Sequence, residues 1–197
     1  MIFDLDDTLY NEVDYMFSGF TAIIKYLNEK YNIKLDICAC TKMMIESYYI
    51  GEKPIDKLLK NNNIYDEKII SECLYVYRNH FPNIILNDDI EKMLHSIKKK
   101  GKHLGIITDG RPEGQKAKIE ALNIKKVFDY IIITDEIGGV EYRKPNKISY
   151  DMMRKHFDVK YEEMCYIGDN IKKDFIYPEK VGMKSIYYIN NKSIIKK

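Results

Sequence analysis

No stretch of this 197-residue chain approaches the roughly 18 consecutive apolar residues that a membrane-spanning helix needs. The N-terminus runs through Ile2 and Phe3 straight into acids, with no basic region followed by an apolar core, so no signal peptide is expected. Cysteine is scarce. Cys38, Cys40, Cys73 and Cys165 form no paired Cys-x-x-Cys, and no histidine lies near Cys38 and Cys40, which argues against a zinc site. Four free thiols imply a reducing compartment, and a cytoplasmic location is expected. A charge imbalance is also missing: 32 Lys and Arg against 30 Asp and Glu leave a formal net charge of +2. That balance predicts neither nucleic acid nor an anionic membrane as a partner. There is no internal repeat and no low-complexity linker. Gly138-Gly139 reads as a loop, because no G-x-G-x-x-G follows a strand.

What remains is an ordinary globular composition, 45% apolar and 31% charged, in a length that suits one core with a modest insertion. Phe17, Phe20, Ile24, Leu27 and Tyr31 recur at helical spacing and predict an amphipathic helix over 13–30. Further helices are expected over 36–50, over 54–61 with Pro54 at its first position, and over 65–80, ending before Pro82. From residue 83 the pattern changes. A helix begins at a capping-box-like pair, Asp88 and Glu91, and closes at Gly101. A strand over 103–108, a helix over 112–122, a strand over 130–134 and a helix over 146–157 N-capped by Asn146 follow. A strand over 164–167, a short helix over 172–182 limited by Pro178, and a strand over 184–189 complete the pattern, before a basic tail from Asn190 to Lys197.

Strands that alternate with helices predict an α/β fold, a parallel sheet of about five strands flanked by helices. The all-helical stretch interrupts it, so the expected organisation is a core of 1–11 and 83–197 with a helical bundle of 12–82 inserted after the first strand. Only Met1, Ile2 and Phe3 precede Asp4, fewer than the five or six residues common in a strand. Either the first strand is marginal or the native chain starts before Met1.

That first strand carries the chemistry. Ile2-Phe3-Asp4-Leu5-Asp6-Asp7-Thr8 places three acids within four residues. Two unit charges about 4 Å apart repel by roughly 4 kcal/mol at an effective dielectric near 20, so the cluster calls for a cation or a shared proton. Parallel sheets bind ligands beyond the carboxyl ends of their strands. The second strand ends at Thr108, followed by Asp109-Gly110; the third leads to Arg143-Lys144-Pro145; the fourth ends at Gly168-Asp169, with Asp174 five residues on. An acid, a hydroxyl, a cation and a second acid pair are thus delivered to one edge.

Phe3-Asp4-Leu5-Asp6-Asp7-Thr8, Ile106-Ile107-Thr108-Asp109-Gly110, Lys144-Pro145 and Gly168-Asp169-Asn170-Ile171-Lys172-Lys173-Asp174 resemble, in order, the four motifs of the haloacid dehalogenase-like hydrolase superfamily. The resemblance covers the whole chain and implies a Rossmann-like core, with residues 12–82 as the helical cap. It implies a phosphatase acting on a small phosphorylated metabolite, a sugar phosphate or nucleotide, through an aspartyl-phosphate. Core segments also look similar to N-acylneuraminate phosphatases and pyrimidine nucleotidases. In this reading Asp4 is the nucleophile and Asp6 the acid/base. Thr108, Lys144 and the backbone N–H groups of Asp109 and Gly110 bind phosphate. Asp4, the Asp6 carbonyl and Asp169 bind Mg²⁺, and Asp174 supports that edge from behind. Dehalogenases of this superfamily lack the second acid, so Asp6 favours phosphomonoester hydrolysis. A phosphomutase or phosphotransferase on the same core, or a catalytically weak binding module, are the alternatives.

Other conspicuous residues have plainer readings. Asp7 is expected to cap a turn, Arg143 to be a scaffold charge, and Asn11 and Glu12 to lie at a hinge. Arg111 divides evenly between substrate contact and solvent. The oligomeric state is not encoded in any motif.

Overall fold

Apolar residues at two different periods build two separate units, and the computed structural model describes residues 1–189 of them. The tail expected over 190–197 lies outside the described residues. One unit comprises Met1–Glu12 and Ile85–Lys197, the other Val13–Ile84.

The first unit holds a five-stranded, wholly parallel sheet in the order β3-β2-β1-β4-β5. The strands are β1 (Ile2–Phe3), β2 (Gly105–Thr108), β3 (Tyr130–Ile133), β4 (Cys165–Gly168) and β5 (Lys184–Tyr187). β1 has only two residues, yet it is central and paired on both sides: Ile2 lies opposite Gly105 and Tyr166, and Phe3 opposite Ile106 and Ile167. The ladder continues past its ends, because Gly105 N–H donates to Met1 O and Asp4 N–H to Ile167 O, each at 2.9 Å. Ile2 and Phe3 are buried, which is worth about 1.5–3 kcal/mol for each side chain. Neighbours on both sides therefore hold a strand that its own length would leave marginal.

The second unit is helical. It contains most of α1 (Glu12–Tyr31), then α2 (Ile37–Tyr49), α3 (Pro54–Asn61) and α4 (Glu67–Asn79). Its core is Met16, Phe20, Ile23, Ile24, Leu27, Met44, Ile55, Leu58, Leu59 and Cys73. Most of the stripe expected on α1 is found: Phe20, Ile24 and Leu27 are buried and Tyr31 packs against them, and only Phe17 departs. Met16, Phe20, Ile23, Ile24 and Leu27 form the buried face, while Phe17 sits beside it and is half exposed. Asp36 and Asp66 cap α2 and α4 by accepting first-turn N–H groups.

The remaining helices belong to the sheet unit: α5 (Asp88–Lys99), α6 (Pro112–Ala121), α7 (Asp135–Gly138), α8 (Ile148–Phe157) and α9 (Ile176–Lys180). Three local expectations change. No capping box forms at Asp88; Asn87 is the N-cap without a side-chain bond, and Asp88, Asp89 and Glu91 lie in the first turn, where they favour the helix dipole. Asn146 is not the N-cap of α8 but sits one residue earlier, its Oδ1 accepting Ile148 N–H at 3.0 Å. The helix expected over 172–182 shrinks to α9, because side chains close the preceding turn: Asn170 Oδ1 accepts Lys172 N–H, and Asp174 Oδ2 accepts Asn170 N–H.

No helix of the described residues is long and apolar enough to cross a membrane.

Candidate active site

β1 ends at Asp4, and the next residues fold into a tight loop instead of continuing the strand. Leu9 N–H returns to Leu5 O, Asp7 adopts φ 53°, and a backbone bridge joins Asp6 to Tyr10. Asp7 is buried and its Oδ1 accepts Glu12 N–H at 2.8 Å at the start of α1, the capping role expected of it. Asp4 and Asp6 are left lining a cleft of about 320 Å³ with Glu12, Asp109, Arg143, Lys144, Asp169, Asn170 and Lys173.

The centre of the site is a buried cation between two carboxylates. Lys144 Nζ lies 2.7 Å from Asp4 Oδ1 and 2.8 Å from Asp174 Oδ1, and donates to the Tyr166 hydroxyl at 2.8 Å. Its side chain has no solvent exposure. Burial lowers the affinity of this amine for its proton, but Asp4, Tyr166 and Asp174 outweigh it and hold Lys144 firmly charged. Burial pushes the Asp4 carboxyl up to about 6 against the pull of Lys144. Asp4 is thus ionised at neutral pH without being an inert, strongly stabilised anion.

Asp4, Asp169 and Asp174 each offer a carboxylate oxygen within 4.8 Å of the others. An all-oxygen set of three acids suits a hard divalent cation. Asp174 is engaged at both oxygens, by Lys144 and by Asn170 N–H, and the missing Cβ of Gly168 lets it approach: a Cβ there would lie 2.4 Å from Asp174 Oδ2. Asp174 therefore lies within this acid cluster with both oxygens already engaged, one of them by Lys144. The Asp6 carboxylate is not in this cluster.

Asp6 instead turns to α6. Lys118 Nζ lies 2.7 Å from Asp6 Oδ1, Gln115 Nε2 donates to Oδ2 at 3.2 Å, and the Tyr10 hydroxyl donates to Oδ1. Burial alone would raise the Asp6 carboxyl, but Lys118, Tyr10 and Gln115 together hold it below the usual carboxylate range. None of these three partners stood out in the sequence. The only signal was Gln115 and Lys118 at i and i+3 on a helix of low apolar content.

The edge expected to bind phosphate is partly taken up by the protein's own contacts. Thr108 is buried, is not among the residues lining the cleft, and its hydroxyl has no hydrogen-bond partner. Such an orphan costs about 1–3 kcal/mol, a deficit that a bound oxygen would remove. The Gly110 N–H, expected to hold phosphate, faces the Asp135 carboxylate, which Arg143 grips with two bonds of 2.7 Å. Arg143 is thus a scaffold charge that also reaches the cleft. Asp109 brings a carboxylate to an edge expected to hold an anion. Its Oδ1 accepts the Thr134 hydroxyl and Lys144 N–H, both at 3.0 Å, and Lys173 Nζ stands 3.2 Å from Oδ2.

This arrangement has relatives. A glyceraldehyde 3-phosphate phosphatase of Methanocaldococcus jannaschii is 29% identical over 98% of this chain and 85% of its own length. An N-acylneuraminate-9-phosphatase of Mus musculus is 24% identical over 96% and 82%. Among solved structures, a hydrolase from Streptococcus pneumoniae shares the fold with a TM-score of 0.62 at 18% identity, over 98% of this chain and 92% of that one. The family description of haloacid dehalogenase-like hydrolases matches residues 1–188. With all four expected motifs at the carboxyl edge of one parallel sheet, the chain belongs to the haloacid dehalogenase-like hydrolases.

Proposed function

We propose that this protein is a Mg²⁺-dependent phosphatase that hydrolyses a small phosphorylated metabolite, a sugar phosphate or a nucleotide, through an aspartyl-phosphate. The observation that carries the reading is the buried Asp4 carboxylate held by Lys144 beside Asp169 and Asp174. Asp4 attacks phosphorus as the bond to the leaving oxygen breaks; Asp6, ionised in the free enzyme, takes up a proton as the ester binds and gives it to that oxygen. Asp6 then takes a proton from the water that attacks the aspartyl-phosphate, releasing inorganic phosphate and free Asp4. Lys144 stays charged throughout and draws the phosphate towards Asp4. The Thr108 hydroxyl and the Asp109 N–H hold phosphate oxygens, while the Gly110 N–H stays with Asp135. Asp4, Asp169 and the Asp6 carbonyl would hold Mg²⁺, which when bound offsets the charge of the phosphate and these acids. Asp174 fixes Lys144 and the Asn170 turn.

Residues 12–82 act in this reading as the cap that selects the leaving group. Two of the relatives are named for glyceraldehyde 3-phosphate and N-acylneuraminate 9-phosphate, so both belong in a substrate panel. The near-neutral charge and the four free cysteines support a cytoplasmic enzyme without nucleic-acid or membrane partners.

The test is hydrolysis of p-nitrophenyl phosphate and of a panel of phosphorylated sugars and nucleotides. Wild type should be active with Mg²⁺, silent after EDTA, and restored by added Mg²⁺. A wild type as inert as Asp4→Asn across the whole panel overturns the proposal.

A further inference from the structure

Among the described residues, five charged side chains are buried: Asp4, Asp7, Lys118, Lys144 and Asp174. Four are accounted for at the loop after β1 and around Lys144. Lys118 is not. It sits mid-helix on α6, where a methionine would fill similar space without the cost of burying an ammonium. Its ion-pair partner is Asp6, with side-chain exposures of 8% and 22%. Gln115, one turn earlier on the same face, donates to Asp6 Oδ2 at 3.2 Å and to the Asp109 carbonyl at 2.7 Å. The Tyr10 hydroxyl, carried by the loop that bridges Asp6 to Tyr10, donates to the same Oδ1 as Lys118.

We propose that Lys118, assisted by Gln115 and Tyr10, is the positioning residue for Asp6. Three donors from two elements fix both oxygens of one carboxylate, and Gln115 ties it to the backbone of the loop after β2. A free Asp6 side chain would rotate about its two χ angles and be repelled by Asp4 in the same cleft. Lys118 removes that freedom and places the carboxylate on the α6 side of the cleft. The inference rests on the reading of Asp6 as the group that protonates the leaving oxygen.

That role has a signature which simple stabilisation lacks. A nitrophenolate departs without a proton, whereas an alkoxide needs one. Lys118→Met should cost about 10²-fold in kcat on alkyl phosphates and under about tenfold on p-nitrophenyl phosphate, since general acid catalysis is worth about 10²–10⁴-fold. KM should barely move. The alkyl probes are glycerol 3-phosphate, glyceraldehyde 3-phosphate and glucose 6-phosphate. In an Asp6→Asn background Lys118→Met should add little further loss. Tyr10→Phe keeps the buried ring and removes one donor; it should show the same leaving-group bias in smaller measure, and it keeps the question open to test if Lys118→Met does not fold. Equal losses on both ester classes, or losses that add to Asp6→Asn, overturn the proposal. So does a wild type that hydrolyses p-nitrophenyl phosphate and none of the alkyl esters. A wild type inert on everything instead removes the phosphatase reading itself.

Discussion

The sheet unit and the helical unit treat charge in opposite ways. Every charged residue buried among the described residues belongs to the sheet unit. The helical unit buries only Thr41 and Ser47 among its polar side chains, and Ser47 is satisfied by Met43 O at 2.8 Å. Its strongest polar cluster lies near the surface: Glu72 accepts from Lys30, Tyr26 and Tyr31 at 2.6–3.0 Å. Burying ions costs several kcal/mol for each one before pairing repays it. A fold that needed only stability would build both units as the helical one is built. The sheet unit concentrates that cost around Asp4 and Asp6 at the end of β1.

The sharpest way to break this comparison is catalytic. Asp4→Asn should lower kcat by on the order of 10⁴-fold while the chain stays folded by circular dichroism, as removal of a nucleophile does. Comparable losses from changes on the helical unit's buried face would erase the distinction.

Stability comes next. Lys144→Met leaves Asp4 and Asp174 buried without their cation and should cost about 3–5 kcal/mol in urea unfolding. Leu58→Ala in the helical unit should cost about 2–5 kcal/mol by leaving a cavity. The mechanisms differ, so the remedies do. Adding Asp4→Asn and Asp174→Asn to Lys144→Met should recover part of the loss, whereas no change of charge should rescue Leu58→Ala.

Acidity should separate the units in sign. Asp4, raised by burial from 3.8 to about 6, binds its proton more tightly when folded. Its stabilising contribution is complete below pH 3.8 and lost as pH rises through about 6. Glu72 is held down from 4.5 to about 2, chiefly by Lys30 and then by Tyr31. Its contribution is present above pH 4.5 and lost as pH falls through about 2. Without Mg²⁺, Asp4→Asn should flatten the pH dependence of unfolding between 3.8 and 6. Glu72→Gln should remove acid lability below pH 4.5, read by hydrogen exchange across 67–79.

The smallest effect concerns Lys173, one-third exposed beside Asp109. Lys173→Met should raise KM for a phosphate ester roughly fivefold, in line with about 1 kcal/mol for such a pair. Asp109→Asn in the same chain should reverse much of that rise. An unchanged KM would show that the Asp109 charge is not felt by the substrate.

Much of this site was legible because its residues sit at strand ends. Apolar runs that stop at Asp4, Thr108 and Gly168-Asp169 mark a sheet edge, and the order of the motifs identifies the family. The helical insertion was legible through its 3.6-residue period, to within a few residues at each end. Two partners of Asp6 were not, since Gln115 and Lys118 lie 109 and 112 residues from it along the chain. The collapse of the last helix to Ile176–Lys180 was hidden for the opposite, local reason: competition from the Asn170 and Asp174 side chains overrides propensity.

By itself the sequence determined the alternation of strands and helices, the helical insertion and the inventory of acids and cations, because these follow from local periodicity and residue type. Only the tertiary structure decided how the acids divide. Asp4 and Asp6 are two residues apart on the same short stretch, yet Asp4 is committed to Lys144 from the loop after β3, and Asp6 to Lys118 from α6. That division sets one carboxyl above and the other below its ordinary range. Its cause is the burial and the cation each acid meets across the fold, a property of distance in space that spacing along the chain does not encode.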